Sequence, residues 1–160
     1  MITKKNVPDK WDRRFLEAAK CVSLWSPDPS SKIGAIAIST ENLPLSWGWN
    51  AFPRKIHSMV ESSVDQETKY KYVIHAEANI IYNSTRGNIS LKDSTFYVYG
   101  IPPCLDCAKA IIQVGAKRII TFCQCETSQK WIDSYKDSVE LFREVDIISE
   151  VIYSNVKARW

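Results

Sequence analysis

The sequence predicts an α/β chain, a three-layer α-β-α sandwich around a mixed five-stranded sheet. Three observations lead there. Short β-branched and aromatic runs recur at residues 33–38, 94–99 and 117–122. Segments between and after the later runs carry apolar residues at three- and four-residue spacing, the period of a helix. The first two strands are joined by a tight turn, whereas the later ones are separated by helices. A hairpin followed by β-α-β units implies one sheet with antiparallel and parallel pairs, and helices on both faces.

Each element has its local reason. Asp9 after Pro8 can cap a first helix, with Asp12 in the first turn where the helix dipole favours a carboxylate. Trp11, Phe15, Ala18, Val22 and Trp25 then mark a face expected to pack on the sheet, and Pro27 ends it. Residues 26–32 read as a loop. The 33–38 run is a buried strand; Glu41-Asn42 turns it into a second strand over 43–49. Residues 55–72 are polar and poorly periodic, a long connection with room for one helical turn. A helix follows over 75–85, then a strand over 94–99 and a sharp break at Gly100-Ile101-Pro102-Pro103. The next helix, 104–114, closes on Gly115. A strand over 117–122, a helix over 133–145 with Val139, Leu141, Phe142 and Val145 on its apolar side, and a strand over 146–153 complete the order.

At 160 residues the chain is expected to be a single domain, 1–160, able to bury a core without disulfides. The net charge is only +3 and the 21 lysines and arginines are scattered, which argues against a bulk nucleic-acid binder. No apolar run approaches the roughly 18 residues of a membrane span. Met1-Ile2-Thr3-Lys4-Lys5 leads into Pro8 and charges, so neither a membrane nor a secretory signal is expected. The five cysteines are odd in number, and two form a C-x-x-C. Such thiols are expected to bind metal or lie buried rather than pair, and the expected compartment is the cytoplasm. Cys21, Cys123 and Cys125 are expected as buried free thiols.

The chemistry concentrates in His75-Ala76-Glu77 and Pro103-Cys104-Leu105-Asp106-Cys107. Cys104 and Cys107, three apart, share one helix face, and a helix N-terminus favours their thiolates. Pro103 suits the first helical turn, where its missing N–H costs nothing. His75 supplies a third ligand from another helix start. Three protein ligands leave a fourth position on Zn²⁺ for water, the pattern of a catalytic site. Glu77, two residues from His75, points the same way only if the backbone there is not yet helical. The rival is a four-cysteine structural site from Cys104, Cys107, Cys123 and Cys125, which leaves His75-Ala76-Glu77 without a purpose.

Around this pair of segments the sequence resembles the deoxycytidylate (dCMP) deaminases of the cytidine deaminase superfamily, whose H-x-E…P-C-x-x-C signature it carries. The matching blocks are Trp11-Asp12-Arg13-Arg14-Phe15-Leu16, Asp28-Pro29-Ser30-Ser31-Lys32-Ile33-Gly34-Ala35, Gly48-Trp49-Asn50-Ala51-Phe52-Pro53-Arg54, Lys69-Tyr70-Lys71-Tyr72-Val73-Ile74 before His75, and Cys107-Ala108-Lys109 with Ile111-Ile112-Gln113-Val114-Gly115. The resemblance implies a cytidine deaminase-like fold and hydrolysis of dCMP to dUMP for thymidylate supply. It implies that His75, Cys104 and Cys107 hold zinc and that Glu77 moves protons from water to N3 and the departing ammonia. It assigns the pyrimidine carbonyl to the backbone N–H of Ala76 and the nucleotide to Asn50, and Trp131 stands where the family often has a tyrosine near substrate. A phosphate also needs a cation, for which Arg54 and Lys32 are the chemical candidates.

Family members are typically homohexamers, activated by dCTP with Mg²⁺ and inhibited by dTTP. Their effector motif, Gly-Tyr-Asn-Gly, here reads Gly48-Trp49-Asn50-Ala51. If its last glycine serves a positive φ or a close approach, alanine strains the effector site. His57, with no second ligand near, is expected as a plain loop residue.

Two other functions remain open. A deaminase of tRNA or single-stranded DNA needs an exposed basic and aromatic track, for which Trp11 and Trp25 are unsuited if they pack on a helix face. A non-enzymatic, zinc-stapled binding protein would use the four-cysteine site. Among cytosine nucleotides dCMP, dCTP and a 5-modified dCMP all fit.

Overall fold

The computed structural model describes residues 8–56, 65–123 and 129–153, without the side chains of 129–132, 134 and 153. Helix α1 (Lys10–Ser23) starts where Asp9 accepts the N–H groups of Trp11 and Asp12, each at 2.8 Å. Its buried face is Phe15, Leu16, Ala19 and Val22, with Asp12 and Ser23. The expected face is thus corrected by rotation: Trp11 is 46% exposed and Trp25 55% exposed. The reason is the closeness of α1 to the first strand. A Cβ on Gly34 would lie 2.3 Å from both the Ala19 carbonyl oxygen and the Ser23 nitrogen, so small residues define the contact line. Trp11 instead stacks beside Phe15 and carries the Arg14 guanidinium over its ring.

Strands β1 (Gly34–Ile38) and β2 (Pro44–Trp49) form the expected hairpin. β3 (Thr95–Gly100) pairs antiparallel with β1, then β4 (Arg118–Cys123) and β5 (Ile148–Tyr153) add in parallel. The order is β2-β1-β3-β4-β5, a mixed five-stranded sheet. Between β2 and β3 lie α2 (Gln66–Tyr72) and α3 (Ala76–Arg86); α4 (Leu105–Gln113) and α5 (Gln129–Glu144) connect the parallel strands. α2 falls inside the stretch expected to be mostly loop. It buries none of its residues and is held at its start by the Asp65 carboxylate on Thr68 N–H, 2.8 Å. α5 begins before the predicted residue 133, and Val145 is exposed rather than part of its apolar side.

Two cores result. Ile80, Ala108, Ile111 and Phe142 from α3, α4 and α5 meet Phe96, Val98 and Ile119 on one sheet face. Phe15, Leu16 and Ala19 of α1 meet Ile36, Tyr97, Ile120 and Ile152 on the other. At the α1 face Arg118 forks onto both oxygens of buried Asp12, at 2.8 and 2.9 Å, and reaches Glu150 at 2.8 Å, while the Tyr97 hydroxyl donates to Asp12 at 2.9 Å. A buried charge network of this kind joins α1, β3, β4 and β5.

Cys21 is exposed, contrary to expectation, because it sits on the solvent side of α1; Cys123 is buried at the end of β4. Cys125 and His57 lie outside the described residues. Among the described residues no helix is long and apolar enough to cross a membrane.

Candidate active site

The site lies where β3 ends. Gly100, at φ +126°, turns the chain out of the sheet, and Pro102-Pro103 lead into α4. Cys104 is the N-cap of α4, with extended backbone, and Cys107 stands in its first turn. Pro103 therefore precedes the cap rather than occupying the first turn, and its carbonyl accepts from the buried Ser138 hydroxyl of α5 at 3.0 Å. His75 is likewise the N-cap of α3, at φ −69° and ψ 156°. The kink between that extended residue and the helix lets His75 and Glu77 line one cavity together. The irregular backbone that the sequence required at this point is present.

His75 Nδ1 lies 3.4 Å from Cys104 Sγ and 3.5 Å from Cys107 Sγ. All three donor atoms lie within 4.8 Å of one another. Zn–N and Zn–S bonds at a tetrahedral angle place N and S about 3.6 Å apart, so the spacing and the N/S donor set fit zinc. The electrostatics fit as well. Its hydrogen bond with Cys104 lifts His75 to about 9, against burial. Cys104 falls to about 4, chiefly through its hydrogen bond with Cys107, burial opposing and His75 assisting. The hydrogen bond to Cys104, burial and nearby Glu77 all push the Cys107 thiol up. A divalent cation would replace these protons and relieve the crowding of like charges. Glu77 is 3% exposed, and burial raises its carboxyl above the usual range, against the pull of the His75 charge.

The other expected site residues divide between two cavities. Ala76 is fully buried as the first helical residue of α3, so its N–H is one of the four that no intrahelical carbonyl satisfies. Asn50, 5% exposed, lines the His75 cavity. Its Oδ1 accepts from Ile33 N–H at 2.8 Å and its Nδ2 donates to the Ser31 carbonyl at 2.7 Å and to Asp28 at 3.3 Å. Asn50 thus shapes the 28–33 loop around the cavity.

The structure places Lys32 and Arg54, the expected phosphate cations, away from the His75 cavity. Lys32 turns its ammonium to the Ser26 carbonyl and does not line the cavity. Arg54 donates to the side-chain Oδ1 of Asn83 on α3 and lines a neighbouring cavity with Trp49, Ala51, Tyr82 and Arg86. Among the described residues the cation that does line the His75 cavity is Lys69, on α2, which reading 55–72 as a connection overlooked. Asp65 preceding Gln66-Glu67-Thr68 is a capping signal that marks the helix; nothing in the sequence shows its lysine reaching back to Asp28. The side chain of Trp131, on α5, is outside the described residues.

The expected effector block is also split, because successive residues of a strand face opposite ways. Asn50 faces the first cavity, whereas Trp49 and Ala51 line the second. Gly48 is a packing residue: a Cβ there would meet the Ala76 carbonyl oxygen at 2.4 Å and Ile80 N at 2.6 Å. Ala51 does not have the left-handed backbone that would strain alanine. It exchanges both backbone hydrogen bonds with Ile74, at 3.1 and 2.8 Å, and so anchors the residue before His75.

A single-zinc hydrolase on a mixed α/β sheet is the class that this fold and pocket define. A family model described as the cytidine and deoxycytidylate deaminase zinc-binding region matches residues 9–123, and the chain belongs to that family. Mouse deoxycytidylate deaminase is 35% identical over 138 residues, 82% of this chain and 70% of the mouse protein. The human deoxycytidylate deaminase is 36% identical over 118 residues, 69% of this chain and 64% of the human one. An uncharacterized deaminase of Aliivibrio fischeri is 30% identical over 141 residues, covering 86% of this chain and 90% of that protein. In structure, the apo dCMP deaminase of cyanophage S-TIM5 superposes with a TM-score of 0.70 at 20% identity, over 91% of this chain and 100% of the phage chain. The same phage enzyme in complex with dCMP and dUMP gives 0.70 at 21% identity, over 91% and 99%. The likeness to the phage structures is one of fold.

Proposed function

We propose that the protein is a zinc-dependent deaminase converting dCMP to dUMP. The observation that carries this is the meeting of His75 Nδ1 and the two cysteine sulfurs within 4.8 Å beside a buried carboxylate in one cavity. The mouse and human relatives, both deoxycytidylate deaminases, support the choice of substrate. His75, Cys104 and Cys107 would hold the zinc ion, which when bound lowers the pKa of a water towards neutrality.

The chain's own groups do the rest. Glu77, kept off the ligand set by its place in the first turn of α3, accepts a proton from the attacking water and delivers one to N3 of the cytosine. Attack at C4 then gives a tetrahedral carbon; Glu77 takes the proton of the new C4 hydroxyl and passes it to the amino nitrogen, and ammonia leaves as the C4–N4 bond breaks and the C4=O bond forms. Burial suits Glu77 to this, since a raised carboxyl is a stronger base towards the water and holds the proton it carries to the cytosine nearer to neutrality. The Ala76 N–H holds the pyrimidine carbonyl at the positive end of the α3 dipole. Asn50 keeps the 28–33 loop in place against the nucleotide.

The second cavity, with Trp49, Ala51, Arg54 and Arg86, offers two guanidiniums beside aromatic rings. We assign it to a nucleoside triphosphate effector, dCTP with Mg²⁺ or dTTP, in a cytoplasmic homohexamer. Exposed Trp25, Trp47 and Tyr82 support burial of that side between subunits. Ammonia release from cytidine, dCMP, dCTP and 5-methyl-dCMP, each with and without dCTP and dTTP, tests the proposal. dCMP is expected to be turned over fastest, with dCTP raising and dTTP lowering the rate. Absence of deamination of any of the four would reject the enzyme reading.

A further inference from the structure

The cavity that holds His75 and Glu77 contains a cation already fixed in place. Among the described residues lining it, Lys69 is the one lysine or arginine. Its ammonium lies 2.6 Å from Asp28 Oδ2 and 3.1 Å from the Ser30 hydroxyl, and its side chain is only 18% exposed. The carboxylate that holds it is itself buried and pinned: Asp28 Oδ1 accepts the N–H groups of Ser30 and Ser31, at 2.9 and 3.0 Å, and the Ser30 hydroxyl at 3.0 Å. An ammonium has three donors, and two are spent on Asp28 and Ser30. Lys69 and Tyr70, whose ring centroid is 5.8 Å from the ammonium, both line the cavity, so a phosphate there can take the remaining donor.

Position along the chain matches a nucleotide. From Lys69 to Val73 is one turn of α2, a rise of about 6 Å. Val73 to His75 is extended backbone, about 7 Å more. Val73 lines the same cavity between the two, so a cytosine ring at His75 and Glu77 can send its 5′ end towards Lys69. Both other cations considered for this task point away, Lys32 to a loop carbonyl and Arg54 to the second cavity.

We propose that Lys69, oriented by Asp28, is the phosphate-recognising group of this site and makes it select a 5′-mononucleotide over the nucleoside; the assignment rests on the deaminase reading above. Asp28 acts here as a positioning residue. It stops the lysine from collapsing onto solvent and keeps a single ammonium direction in a wall that also holds Ile33, Val73 and Ile101.

The test is calorimetric binding of dUMP and of deoxyuridine, which do not react, so it is independent of turnover. Wild-type protein is expected to bind dUMP more tightly than deoxyuridine. Lys69→Met should weaken dUMP binding roughly 10- to 100-fold, the range of one charge-assisted hydrogen bond, and leave deoxyuridine within about twofold. Lys69→Arg should recover part of the loss. Because Lys69→Met strands Asp28, the double variant Lys69→Met with Asp28→Asn is measured too, and it should show the same selective loss. Equal weakening of both compounds in the double variant, or no change for dUMP, overturns the assignment. Release of ammonia from dCMP by the wild-type protein reports separately on the deaminase reading.

Discussion

His75 and Cys104 cap two different helices, and their Nδ1 and Sγ atoms lie 3.4 Å apart. Two helix N-termini therefore face one point, where both dipoles favour thiolate and the extended cap residues turn their side chains outward from the helical spiral. That contact raises the imidazole, while the Cys104 thiol is lowered by its bond with Cys107 and then by His75.

Zinc affinity should consequently rise with pH. His75 titrates near 9 and Cys107 is pushed up, so metal must displace a proton from each. Affinity should tighten by about tenfold per pH unit for each proton displaced between pH 6 and 8. Competition against a chromophoric chelator measures it, and a flat profile would mean that the ligands are already deprotonated.

Gly48→Ala should destabilise the fold. The added methyl meets the carbonyl oxygen of Ala76 at 2.4 Å, a backbone atom that gives only if the start of α3 moves. A loss of about 1–3 kcal/mol is expected by urea denaturation, with zinc affinity falling in step because His75 rides on the same helix start. By contrast Ala51→Gly, at a residue with ordinary backbone, should cost only about 0.5–1 kcal/mol.

Arg118→Met removes the guanidinium that the buried carboxylates of Asp12 and Glu150 share, the one cation the structure shows on both among the described residues. The expected loss is about 3–5 kcal/mol. Below the lowered melting temperature turnover should stay near wild type, since the network lies on the α1 face of the sheet and the site on the other. Thermal unfolding and activity at low temperature separate the two effects.

Acid should loosen the 28–33 loop. Burial pushes the Asp28 carboxyl up, but the Lys69 ammonium and the Ser30 and Ser31 groups outweigh it and hold it below its ordinary 3.8. A carboxyl depressed in the folded state contributes stability above its unfolded value, and that contribution is lost as pH falls through the folded one. The decline due to Asp28 is thus expected below about pH 4, and Asp28→Asn should remove it from the pH profile of denaturation.

Much of this was legible in the sequence because local pattern and global fold agree. The hairpin, the parallel strands and the helices between them follow from runs such as Ile33–Ile38 and from Gly115, whose φ of +76° ends α4 as a glycine should. His75, Cys104 and Cys107 were legible as a ligand set because metal chemistry restricts both residue type and spacing, whereas Glu77 was marked by the family signature. What escaped depends on directions that pattern does not carry. Trp11 and Trp25 keep helical spacing yet face outward, since the small side of α1, at Ala19, had to meet Gly34. Lys32 and Arg54 have the right charge, but hydrogen bonds to Ser26 and Asn83 turn them elsewhere. Lys69 sits on a helix with no buried residue, and its partner Asp28 is supplied by a distant loop.

The central claim is a division of labour, three ligands for zinc and Glu77 for protons. Glu77→Gln keeps the shape and removes only the proton carrier. Measured together, zinc content and ammonia release from dCMP should show about one zinc per chain retained and a rate lower by a factor on the order of 10²–10⁴. Wild-type turnover by the Glu77→Gln protein with its zinc in place would contradict the account.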